Sequence, residues 1–74
     1  MSQISRPFDL LSQATNKPIL VFLKGNKQIR GTLVAFDQHL NLVLQDAEEL
    51  ENNTVKVKLG SALIRGDNIL YLSP

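Results

Sequence analysis

From Pro18 onward the chain is written in short runs of β-branched and aromatic residues separated by Gly, Asn and Asp, and this punctuation leaves room for little besides a small sheet. Ile19 to Lys24 reads as a first strand, and Gly25-Asn26 as a tight turn into a second, Lys27 to Phe36. Gly31 sits inside that second run. A glycine within a strand marks a bend, a bulge or a close backbone approach, and sharp bends are how a small sheet curls towards a barrel. Leu40 to Gln45 makes a third strand, with Leu40, Leu42 and Leu44 on one face. Thr54 to Ile64 makes a fourth, and Ile69 to Leu72 a fifth.

Ahead of the strands, Ser5-Arg6-Pro7-Phe8-Asp9 has the marks of a helix start: a capping hydroxyl, a proline in the first turn and an early acid. Phe8, Leu10, Leu11 and Ala14 recur at spacings of three and four, which predicts a helix over 7–14. Between the third and fourth strands, residues 46–53 are dense in acid and Asn and read as a solvated hairpin loop. Their carboxylates lack the ligand spacing and Gly turn of a calcium loop. The whole is a mainly β chain: a short N-terminal helix followed by a five-stranded, strongly bent antiparallel small barrel of the SH3-like or OB-like kind, in a single domain over 1–74.

Seventy-four residues bury a modest core, so a single copy is marginally stable on its own. With no Cys and one His, neither disulfides nor a structural zinc can compensate, and no cofactor is implied. Association is the remaining remedy. The runs Ala62-Leu63-Ile64 and Ile69-Leu70-Tyr71-Leu72 are apolar on both faces, so Leu63, Ile64, Ile69, Leu70, Tyr71 and Leu72 are expected to meet a second copy along free strand edges. No apolar stretch approaches the roughly 20 residues of a membrane span, and nothing near Met1 resembles a signal peptide, which points to a cytoplasmic protein.

The chemistry gathers in two short segments, Phe36-Asp37-Gln38-His39-Leu40-Asn41 and Ile64-Arg65-Gly66-Asp67-Asn68-Ile69. An enzyme built on His39 as general base, with Asp37 behind it and Ser61 or Ser73 as nucleophile, finds no nucleophile elbow, phosphate loop or metal motif to support it. Singly, each Asp and Asn here can be a turn cap. Together they suggest a pocket for a flat ligand. His39 and Arg65 offer planar faces for stacking on a base, and the Asn41 amide offers a donor beside an acceptor. That pair matches O4 and N3–H of uracil, provided that a carboxylate, Asp67 or Asp37, fixes the amide against rotation.

These two segments resemble the two motifs of the Sm and Sm-like (LSm) family, in particular its archaeal members. The first motif spans about 18–44, carried by Gly31, Phe36-Asp37, His39 and Leu40-Asn41. The second spans about 63–71, carried by Leu63-Ile64-Arg65-Gly66-Asp67-Asn68-Ile69 and Tyr71, with the acidic segment 46–53 between the two. The resemblance implies the Sm fold and a ring, typically of seven subunits, in which the fourth strand of one subunit pairs with the fifth of the next. It implies that His39 and Arg65 stack on uracil, that Asn41 reads its edge, and that Asp37, Gly66 and Asp67 shape the pocket. The implied partner is single-stranded, uridine-rich RNA, with RNA-processing proteins as further partners. A ring-shaped protein scaffold without base preference is the alternative.

Overall fold

A computed structural model of the chain describes residues 7–73. Helix α1 (Pro7–Ala14) is followed by strands β1 (Pro18–Leu23), β2 (Lys27–Phe36), β3 (Leu42–Glu51), β4 (Thr54–Ile64) and β5 (Ile69–Ser73), with a 3-10 turn over Gly66–Asn68. The expected capping hydroxyl of Ser5 lies outside the described residues. All five strands form one antiparallel sheet in the order β4-β3-β2-β1-β5, so β4 and β5 are its two free edges.

The bend is built at one level across three neighbouring strands. Gly31 on β2 is buried, and a Cβ there would press on the Ala47 Cα at 3.1 Å and the Gln45 carbonyl oxygen at 3.1 Å. The β2–β3 register shifts at this point, between Arg30 and Thr32. On β3, Asp46 takes a left-handed backbone (φ 53°), and Gly60 of β4, paired with Ala47, does the same (φ 71°). The three positions together fold the sheet over its own apolar face. Val21, Leu33, Leu42 and Leu44 are fully enclosed there, joined by Leu11 and Ala14 of α1 and by Ile19, Ala47 and Ile64. Phe8 on the helix stacks on Phe36 at the end of β2, with ring centroids 6.1 Å apart.

Two expectations need correction. Residues 46–53 are not a loop: β3 runs on to Glu51, and the reversal is confined to Asn52 and Asn53, both with positive φ as a tight primed turn requires. Ala47 and Leu50 within that segment are buried, because the bend at Asp46 shifts which residues face inward. Leu40 does not start β3. It has φ 63° and is exposed, belonging to the turn before the strand.

The apolar edge runs are split between inside and outside. Ile64 is buried in the subunit's own core, and Ile69 and Leu72 pack against it. Leu23 pairs with Ile69 and Phe22 with Tyr71, so Leu70 is an extra residue that lets Ile69 and Leu72 face the same side. Leu63, Leu70 and Tyr71 remain outward, 71%, 60% and 60% exposed. Tyr71 has a partner within the chain in Phe22, stacked at 4.3 Å.

Candidate functional site

The register of β3 against β4 brings the two chemical segments together. Leu42 pairs with Ile64, so the residues just outside that pair, Asn41 and Arg65, lie side by side where the strands end. The β2–β3 turn is held by Asp37. Its Oδ1 accepts the backbone N–H of His39 at 2.9 Å and of Asn41 at 3.0 Å, while the Asp37 and Leu40 backbones close the turn through Asn41 and Asp37 carbonyls. The turn-capping role open to Asp37 from sequence is therefore real, and a second role is added to it.

Asp37 Oδ2 also accepts the Asn41 side-chain N–H at 3.0 Å. From the other side, the backbone N–H of Gly66 donates to Asn41 Oδ1 at 2.9 Å. A carboxylate has no proton to give and an amide N–H no lone pair, so the two contacts agree on one orientation of the Asn41 amide. One N–H and one lone pair are left for a ligand. Of the two carboxylates considered for this task, Asp37 holds the amide. Asp67 instead pairs with Arg65 at 3.1 Å, both side chains being largely exposed.

Hydrogen bonding from the Asn41 side chain, followed by that from the Asn41 and His39 backbones, holds the Asp37 carboxyl below its ordinary value of 3.8, with burial opposing. It is ionised, and acceptor-only, through the neutral range.

Gly66 joins the two loops. A side chain on it would run into the His39 carbonyl oxygen, with the Leu40 carbonyl carbon 2.9 Å away, so only glycine brings its N–H this close to Asn41. The 3-10 turn that follows is closed by the Asn68 N–H donating to the Arg65 carbonyl at 3.1 Å, and the Lys24 N–H ties it to the end of β1. His39, Asn41, Arg65, Gly66 and Asp67 then line an open cavity of about 530 Å³. Asp37 does not line it; it holds two residues that do. Sequence reasoning missed the Gly66 N–H as the second restraint on Asn41, although a glycine between Arg65 and Asp67 was the available signal.

Comparison with known proteins bears on this arrangement. The family model described as the LSM domain matches residues 9–74. The chain belongs to the LSM-domain family. An Sm-like snRNP protein of Archaeoglobus fulgidus is 49% identical over 69 residues, covering 93% of this chain and 90% of its own. One from Methanosarcina barkeri is 50% identical over 70 residues, covering 95% and 97%. Among solved structures, the Pyrococcus abyssi Sm protein in complex with a uridine heptamer superposes with a TM-score of 0.91 at 43% identity, covering 95% of this chain and 99% of that one. A heptameric archaeal Sm protein gives 0.83 at 44%, covering 89% and 96%. The LSM-domain fold anticipated from the two motifs is thus the fold of this chain.

No described helix is long and apolar enough to cross a membrane, and among the described residues no group of three or more His, Asp or Glu is arranged to hold a metal ion.

Proposed function

We propose that this LSM-domain protein is a non-catalytic, ring-forming RNA-binding protein that holds single-stranded, uridine-rich RNA, one base to each subunit's pocket, in cytoplasmic RNA processing, stability or ribonucleoprotein assembly. The observation that carries the reading is the Asn41 amide held at both ends, with its remaining N–H and lone pair in the order that matches O4 and N3–H of uracil. In this reading His39 and Arg65 stack on the base. Asp37 and Gly66 position Asn41, and Asp67 steadies the Arg65 guanidinium.

Two features support a ring. The sheet ends in free edges at β4 and β5, and Leu63, Leu70 and Tyr71 stand exposed beside them. Head-to-tail pairing of unlike edges closes a ring when the rotation between subunits allows it. A solved relative described as heptameric, and another in complex with a uridine heptamer, agree with this assignment. Stacking supplies only about 1–3 kcal/mol per base, so one pocket binds weakly; a ring turns successive contacts into intramolecular ones. That multiplication also offsets a net charge of only +1 per chain. Affinity is expected to fall as salt rises.

Titration of labelled oligo-U and oligo-C against the wild type and His39→Ala tests the reading. Preferential oligo-U binding that weakens in the variant is expected. Equal, weak binding of both oligomers to both proteins would favour a protein-interaction scaffold. Native mass measurement tests the ring, and a stable monomer at micromolar concentration would contradict it.

A further inference from the structure

Building on the proposed uracil pocket, we propose that the site recognises a chemical class of base, those presenting a ring N–H beside a carbonyl, and therefore accepts hypoxanthine and guanine in single-stranded RNA as well as uracil. What Asn41 can read is set by what Asp37 and Gly66 leave free: one N–H and one lone pair, adjacent across a planar amide that cannot turn. The complementary ligand edge is an acceptor opposite the nitrogen and a donor opposite the oxygen. Uracil supplies it as O4 and N3–H. Hypoxanthine and guanine supply the same order as O6 and N1–H. Cytosine and adenine reverse it, with an exocyclic amine beside an unprotonated ring nitrogen, so both groups would meet their own kind across the amide.

Among the described residues, nothing lining the cavity of one subunit sorts bases by size. Its walls are His39, Asn41, Arg65, Gly66 and Asp67, none of them a bulky apolar side chain that would stop a second ring, and it is open with a volume of about 530 Å³. The two stacking groups lie on the surface, the Arg65 side chain being 74% exposed. A planar face of either ring system can rest on them, since stacking tolerates any base. Selectivity therefore falls on the edge.

The test compares two purines of nearly equal size. Short labelled uridine oligomers, with several central uridines replaced by inosine, adenosine or cytidine, are titrated against the wild-type protein. The inosine oligomer is expected to bind within about threefold of the uridine one, and the adenosine and cytidine oligomers roughly tenfold more weakly, the discrimination a bidentate edge contact supplies. Inosine binding as weak as adenosine, with uridine still preferred to cytidine, would overturn the class assignment and leave the uracil pocket standing. Loss of any preference for uridine over cytidine would overturn the uracil pocket and the class assignment together.

Discussion

The β3–β4 hairpin has two ends that are built differently. At one, Leu42 pairs with Ile64, both buried, and the loops beyond them are joined by the Gly66 N–H donating to Asn41 Oδ1 across 25 residues of sequence, with Gly66 packed close against the His39 and Leu40 backbone. At the other, residues 51–60 are all exposed, the turn is two asparagines, and Lys56 reaches Glu49 at 4.0 Å and Glu51 at 3.4 Å on the surface. The same two strands thus present one end where the Asn41 amide is held from both sides and one where charges meet on the surface. Position is specified at the end that carries the candidate pocket; the far end is held by its ladder, by the buried Ala47 and Leu50 and by surface ion pairs.

Substitutions that break this contrast are expected to rank accordingly. Gly66→Ala should have the largest effect, because the new methyl meets backbone that cannot swing aside: a stability loss of about 1–3 kcal/mol in denaturant melts, with loss of measurable oligo-U binding. Next is Asp37→Ala. It releases the Asn41 nitrogen, so the uridine-to-cytidine affinity ratio should fall by roughly tenfold while stacking keeps some affinity for both. Lys56→Ala at the far end removes only solvent-exposed ion pairs and should change stability by less than about 0.5 kcal/mol, with oligo-U binding unaltered.

Acid offers a way to sharpen the same contrast without mutation. The folded state depresses the Asp37 pKa below 3.8, so what this carboxylate contributes is fully present above that value and is lost as pH falls through the depressed one. Base preference should therefore hold its Asp37-dependent part from neutral to mildly acid solution. A decline that sets in well above 3.8 and vanishes in Asp37→Ala would show that the carboxyl is not held down as described.

How much of this was legible beforehand follows the same division. The helix, β2 and β4 were readable to the residue, because helical spacing at Phe8, Leu11 and Ala14 and the β-branched runs are local signals. Gly31 announced the close approach to Ala47. The acidic segment was misread because charge density suggests solvent, whereas on a half-exposed strand acids can alternate with buried residues such as Ala47 and Leu50. Leu40 was misread because its spacing from Leu42 and Leu44 continues the strand period, and a left-handed leucine leaves no trace in sequence. At the site, the residue types were legible, but which carboxylate holds Asn41 was not. Choosing Asp37 over Asp67 as the holder of Asn41 depends on the turn geometry that brings both Asp37 oxygens to bear.

The central claim is that a fixed amide, rather than stacking or charge, confers the base preference. Fluorescence anisotropy of labelled oligo-U and oligo-C with the wild type and Asp37→Ala measures it most directly. The account predicts a clear uridine preference in the wild type that collapses in the variant, with oligo-C binding retained. An unchanged preference in a folded Asp37→Ala protein would contradict it.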